Sequence, residues 1–269
     1  LTPICIYHSG CPDGFTAAWI VHHVHSAVGG IELWPAQYGD DPPDVAGRDV
    51  TIVDFSYKRP IMEHIRDTAK TLRVLDHHKT AAEDLHGLAG PEGSVVIFDM
   101  NRSGAMLAWD YYHQGEDPPP LVCYVQDRDL WTRALPDNAE VFGAITSRPY
   151  TTEAWDALAA APLDQLVAEG RAVAMYRERL IEQAVANAFE GRVCGHAVLV
   201  ANCAYAIGSE VAGRLAEGRP FGAYYLDLPG GVRQWGLRST DAGLDVATVA
   251  ESAGGGGHRH AAGFKEMQP

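Results

Sequence analysis

Asp76-His77-His78 follow directly on Leu72-Arg73-Val74-Leu75, a run that reads as a buried strand. An acid and two imidazoles at the end of such a strand cost free energy unless something pairs with them. Carboxylate and neutral imidazole are together the donors that a divalent metal takes. Other strand-like runs end in a similar way. Ile4-Cys5-Ile6-Tyr7 ends at His8, with Asp13 in the loop that follows, and Val50-Thr51-Ile52-Val53 ends at Asp54. Asp127 follows Leu121-Val122-Cys123-Tyr124-Val125. A lone Asp at a strand end is ordinarily a turn former or a helix cap. Convergence is what points to chemistry, because ligands of open α/β sheets sit at the carboxyl ends of the strands. Mixed His and carboxylate donors favour a transition metal such as Mn2+ over Ca2+. One central carboxylate can bridge two ions about 3.5–4 Å apart, as two-metal phosphoryl-transfer sites require.

A second group is Gly254-Gly255-Gly256-Gly257-His258-Arg259-His260-Ala261-Ala262-Gly263. Successive glycines let backbone N–H groups close on an anion, so the run reads as a turn that cradles phosphate. His258 and Arg259 can add charge-assisted hydrogen bonds. A glycine run also serves as a linker, but Ala261-Ala262-Gly263-Phe264 continues it with residues suited to packing.

The elements that must position these groups alternate strand and helix. Helical spacing covers 15–28, 60–70 and 103–113, the last with Ser103 as its cap, and Val95-Val96-Ile97-Phe98 is a further strand ending at Asp99. The segment 121–125 fits a strand or, with prolines at 118–120, a helix start. This alternation predicts an α/β fold whose N-terminal sheet is mainly parallel, with flanking helices. The stretch 163–189 keeps one apolar stripe and predicts a long connecting helix of about 40 Å. A smaller C-terminal α/β domain follows, with a strand at 196–200, a helix at 209–217 and a hairpin around Pro229-Gly230-Gly231. The expected division is 1–150 for a metal-binding catalytic domain, 151–190 for the connecting helical region and 191–269 for a glycine-rich substrate-binding domain.

Composition narrows the partners. Twenty-one basic against 35 acidic residues give a net charge of −14, which argues against a broad basic face for long nucleic acid. A small phosphorylated substrate stays compatible, since bound metal supplies local positive charge. No apolar run approaches the roughly 20 residues of a membrane span, and no signal peptide is visible. The first residue is Leu, so the natural start is expected upstream or processed. The five cysteines form no CxxC pair, and Cys5, Cys123 and Cys203 lie in apolar settings. That pattern predicts reduced thiols in a cytoplasmic protein and argues against structural zinc.

Pro12-Asp13-Gly14, Asp54, Asp76-His77-His78, Asp127-Arg128-Asp129 and the closing Gly255-Gly256-Gly257-His258…Ala261-Ala262-Gly263 together resemble the DHH phosphoesterase superfamily. The C-terminal part resembles its DHH-associated domain, and the match runs in order over nearly the whole chain. The superfamily contains single-strand exonucleases, oligoribonucleases, nucleotide phosphatases, cyclic-dinucleotide phosphodiesterases, and pyro- and polyphosphatases. The resemblance implies two divalent ions bridged by Asp54, one completed by Asp13, His77 and Asp127 and the other served by His8. It implies that His78 contacts the scissile phosphate. Gly255, Gly256, Gly257 and His258, with Arg259 and Arg238, would hold a substrate phosphate. Many members carry two acids separated by one residue in the first motif. Here Cys11 takes the place of the first acid, and His8 is displaced by one position. Cys11 is either a thiolate ligand, which would tilt the metal from Mn2+ toward Zn2+ or Fe2+, or a small packed residue. The expected activity is hydrolysis of short oligonucleotides or small nucleotides by metal-activated water, with catalysis carried by Asp54 and His78. A pyrophosphatase or polyphosphatase is the alternative enzyme, and a catalytically lapsed nucleotide sensor is the alternative class. Neither long nucleic acid nor membrane is an expected partner, and a homodimer stays open.

Overall fold

The apolar runs that precede His8, Asp54 and Asp76 are buried on both faces, which is how strands of a covered parallel sheet read in sequence. In the computed structural model, which describes residues 1–268, they become the centre of a five-stranded sheet. The chain runs through β1 (Ile4–His8), α1 (Pro12–Ser26), β2 (Glu32–Ala36), β3 (Asp49–Val53), α2 (Arg59–Thr68), β4 (Thr71–Asp76), α3 (Lys79–Asp84) and β5 (Val95–Phe98). All pairings are parallel, in the order β2-β1-β3-β4-β5. Alternation along each strand divides the core. Ile4, Ile6, Val50, Ile52, Leu72 and Val74 pack toward Met62 and Ile65 of α2. Cys5, Tyr7, Val53 and Leu75 pack toward Phe15, Ala18 and Trp19 of α1 on the other side. The order reverses between β1 and β3, and such a switch point leaves a crevice at the carboxyl ends of the two strands. His8 and Asp54 stand at that crevice.

The remaining elements of this unit are helices: α4 (Gly104–Tyr112), α5 (Pro120–Asp129), α6 (Asn138–Thr146), α7 (Thr152–Ala160) and α8 (Leu163–Ala186). Ser103 caps α4, its hydroxyl accepting from the Met106 amide at 3.3 Å. The ambiguous 121–125 segment is helix: Pro120 starts α5, and Leu121, Val122 and Val125 bury one face. One strand escaped the sequence reading. β2 carries Glu32 and Pro35 and is largely exposed, and Pro35 is tolerated because β2 is an edge strand.

The chain forms two compact units, Leu1–Val173 and a second that begins at Ala174, so the division falls inside α8. The second unit contains β6 (Phe189–Val193), β7 (His196–Asn202), α9 (Tyr205–Leu215), β8 (Gly222–Leu228), β9 (Val232–Arg238), α10 (Val246–Glu251), β10 (Gly256–His258) and β11 (Ala261–Met267). Its sheet runs β10-β11-β9-β8-β7-β6, antiparallel except for the β7–β8 pair joined through α9. Val198, Val200, Ala223 and Leu237 face α10, while Ala201 and Tyr224 face Ile207, Val211 and Leu215 of α9. The predicted long helix stops at Ala186, before β6. Glu190, Gly191 and Arg192 disguise β6 by interrupting its apolar pattern.

Helices α6 and α8 cross where side chains are missing. A Cβ on Gly170 would stand 1.6 Å from the Glu140 carbonyl oxygen, a backbone atom that cannot rotate away. Gly170→Ala should therefore destabilise the first unit by about 1–3 kcal/mol or more, as overpacking does. A denaturant midpoint equal to that of the parent protein would show that the crossing is looser than described.

Candidate metal centre

Asp54 leaves β3 in the left-handed region at φ 53°, a conformation that Asp and Asn adopt more readily than other side-chain-bearing residues. Its carboxylate is 1% exposed. Backbone packs directly around it: a Cβ on Gly104 would lie 2.4 Å from the Asp54 Cβ, and one on Gly14 would lie 3.0 Å from Asp54 Oδ2. Glycine at these starts of α4 and α1 lets both helices close on one side chain. The two carboxylate oxygens have different neighbours. Oδ1 accepts from His77 Nε2 at 3.0 Å, while Oδ2 stands 3.6 Å from His8 Nδ1 and has no hydrogen-bond partner.

Two groups of potential ligands flank this carboxylate. His8, Asp54 and His78 bring one ligand atom each within 4.8 Å of one another, and so do Asp13, His77 and Asp129. His77 Nε2 links the groups, lying 3.5 Å from Asp129 Oδ2 and 3.9 Å from Asp13 Oδ2. Asp13 is held at the start of α4, accepting from Gly104 N at 2.6 Å and Ala105 N at 3.0 Å. Helix N-termini stabilise anions in this way. Asp76 does not join either group. It is fully buried and accepts from Ser56 Oγ at 2.6 Å, the His77 amide at 2.7 Å and His78 Nδ1 at 2.7 Å. A carboxylate on one imidazole nitrogen fixes the ring and leaves Nε2 for the centre.

Charge balance follows from this crowding. Burial disfavours ionised Asp54, but the imidazoles of His77 and His8 outweigh it and hold its carboxyl well below the usual range. Burial also works against charged His77, yet its bond to Asp54 and the nearby Asp129 and Asp13 carboxylates raise it to about 9. Burial, then the Asp54 charge, lifts Asp129 to about 6. Burial and the same neighbours lift Asp13 well above its ordinary value. A proton on His77 thus occupies a donor atom that a cation would take. An orphaned buried oxygen on Asp54, between mixed imidazole and carboxylate donors, fits a divalent metal of the transition series.

The fold departs from the sequence expectation at three places and, at Cys11, bears on two readings that the sequence leaves open. Asp127 is not in either group. Its carboxylate accepts from Thr132 Oγ1, Ala134 N, Leu135 N and Asn138 Nδ2 at 2.6, 2.8, 3.2 and 2.7 Å. Burial raises its pKa, but these bonds prevail and hold it below the usual range. Asp129, one half-turn further along α5, faces the centre instead. His78 stands with His8 and Asp54 as a potential ligand, whereas the family resemblance implied a phosphate contact alone. Cys11 precedes α1 and supplies no atom to either group. Burial, with the Asp54, Asp13 and Asp129 charges, pushes its thiol well above the ordinary range. Finally, the glycine run is only partly a turn. Gly254 lies in a turn at φ 77°, whereas Gly256, Gly257 and His258 form β10, and a Cβ on Gly255 or Gly257 would strike β11 backbone at 2.1 or 2.5 Å. Gly255 and Gly257 thus serve strand approach. Within that sheet Arg238, Ala261 and His258 lie in register across three strands, so Arg238 and His258 share a face, and Arg238 Nε donates to Ser209 Oγ at 2.9 Å. The Arg259 carbonyl accepts from Val246 N. The sequence reading missed Asp129 as a centre residue and Asp76 as the support of His78.

Three outcomes are expected. His77 contributes stability that is fully present below its unfolded value near 6.5 and is lost as pH rises through about 9. Metal competes with the same proton, so affinity rises over that window. The gain in melting temperature on adding Mn2+ should be larger at pH 8.5 than at pH 6.5, and an equal or smaller gain would contradict this linkage. Asp129→Asn should weaken metal binding about tenfold or more. Asp127→Ala should cost about 1–3 kcal/mol of stability through orphaned donors, with metal stoichiometry retained. Metal titration by calorimetry beside urea denaturation separates the two roles.

No family model matches the chain. An uncharacterized protein of Acanthamoeba polyphaga mimivirus is 26% identical over 97% of this chain, which spans 66% of that relative's length. Among solved structures, the pGpG-specific phosphodiesterase PggH of Vibrio cholerae aligns with a TM-score of 0.56 at 13% identity, over 99% of this chain and 94% of its own. RecJ of Thermus thermophilus in complex with Mn2+ aligns with a TM-score of 0.54 at 18% identity, over 99% of this chain and 49% of its own. The DHH domain of a member of a ribosomal protein family gives a TM-score of 0.55 at 12% identity, over 99% of this chain and 83% of its own. With Asp54, His77 and His78 gathered at the strand ends of that shared architecture, the chain has the fold of the DHH phosphoesterases.

Proposed function

We propose that the protein is a metal-dependent phosphoesterase that hydrolyses short oligonucleotides or small nucleotides. The observation that carries this reading is the Asp54 carboxylate, buried between two ligand groups with one oxygen turned to each. That arrangement suits a carboxylate shared by two divalent ions, with Mn2+ the favoured metal from the donor set. Once bound, such ions supply Lewis-acid charge to the phosphoryl oxygens and acidify the attacking water. The chain's own groups do the rest. Asp76 holds His78 by Nδ1, so its other nitrogen is oriented before substrate arrives. Asp13 and Asp129 set His77, and the α4 amides anchor Asp13 so that the group keeps its shape. Pre-set groups of this kind avoid reorganisation as charge develops in the transition state. Arg238 and His258, which share a sheet face, are our proposed contacts for a substrate phosphate.

A net charge of −14 supports a short substrate, since a long polyanion would be repelled away from the metal-bearing crevice. The pGpG specificity of PggH favours the same size class. Asp54→Asn should lower turnover of a dinucleotide such as pApA at saturating Mn2+ by at least 100-fold, the scale of losing a major electrostatic group. Near-parental turnover would remove the shared-carboxylate mechanism. Metal binding by the parent protein without turnover of any short phosphodiester would favour a sensor.

A further inference from the structure

Trp131 is 63% exposed, and the segment that presents it is strained. Trp131, Arg133 and Asp137 all lie in the left-handed region, at φ 57°, 47° and 52°, and none is glycine. Such conformations persist where surroundings over-determine them, and they cluster at binding sites. Here the determinant is Asp127, whose carboxylate takes hydrogen bonds from Thr132, Ala134, Leu135 and Asn138 of the same segment. An acid that feeds neither ligand group thus holds an indole out toward solvent. The indole has a definite setting. It borders a cavity of about 210 Å3 that is also lined by Val125 and Phe142 and by Asp13 and Asp129 of the metal centre. The guanidinium of Arg133 lies 4.2 Å from the ring centroid, and that of Arg128 lies 4.9 Å from it.

We infer that Trp131 is the platform on which a base of the substrate stacks while the phosphoryl group occupies the neighbouring centre. This rests on the phosphoesterase reading and deepens it, because a pyrophosphate or polyphosphate has no flat apolar group to lay on an indole. Stacking is tolerant of base identity, since every base has a π-face; a base that takes the place of one guanidinium over the ring leaves the other to supply cation–π attraction, and both supply charge toward the phosphate. The platform therefore selects nucleotides as a class and not one base among them.

The test compares the parent protein with Trp131→Ala and Trp131→Phe in the presence of Mn2+. Binding of AMP and of ribose 5-phosphate is measured by equilibrium dialysis, which needs no turnover. KM and kcat are then measured for pApA and for its counterpart with abasic tetrahydrofuran residues. Trp131→Ala should weaken AMP at least fivefold, leave ribose 5-phosphate within twofold, and raise KM for pApA with little change in kcat. Trp131→Phe should recover most of the loss, and melting temperatures should match the parent. Absence of AMP binding by the parent, an unchanged AMP affinity in Trp131→Ala, or equal losses for AMP and ribose 5-phosphate would overturn the platform. Trp131-dependent AMP binding without hydrolysis of any phosphodiester would refute the enzymatic reading and leave the platform standing.

Discussion

Carboxylates repel one another most strongly where water is excluded, and the first unit gathers Asp13, Asp54 and Asp129 around one imidazole. Isolated burial of even one such charge is costly. The neighbouring architecture offsets that cost in several ways. His77 carries a proton between the acids, the amides at the start of α4 solvate Asp13, and glycines at positions 14 and 104 admit backbone where a side chain would collide. Helices α1 and α4 are therefore tied to the sheet by the same carboxylates that form the centre. Core packing and site chemistry share parts, and a change in either reaches the other.

Much of this was legible in the sequence because strand ends are local features. His8, Asp54, His77 and His78 each follow or close a short apolar run, and parallel strands must send such residues to one edge. Asp127 and Asp129 were not separable by that logic. Read as a strand end, residues two apart share a face. On α5, residues two apart are turned about 200° from each other. One acid then folds back onto the 130–138 segment and the other reaches the centre, so the assignment hinged on helix against strand for a segment that fitted both. Asp76 was legible as polar and buried, but its partner was not, since a carboxylate at a strand end can turn outward to a ligand or back to its own neighbours.

Two of the missed strands share a cause. Both β2 and β6 lie at sheet edges, where half of the backbone groups and most side chains meet solvent. Edge positions are released from the apolar pattern that announces central strands. The glycine run is ambiguous for the opposite reason. Glycine lets backbone approach an anion or another strand equally well, and the pairing of β10 with β11 accounts for the second use at Gly255 and Gly257.

The left-handed backbone at Asp54 carries an evolutionary consequence. Most residues placed there would distort the strand exit, so mutational drift at this position is confined to a few types. Asn is among the tolerated ones, and it differs from Asp only by an amide in place of a charged oxygen. On the proposed reading, one step of that kind would remove the shared charge while sparing the scaffold. Gene duplicates of this fold would then have a short path from catalyst to silent binder, and a lineage of such binders should show Asn at this position more often than any bulkier residue.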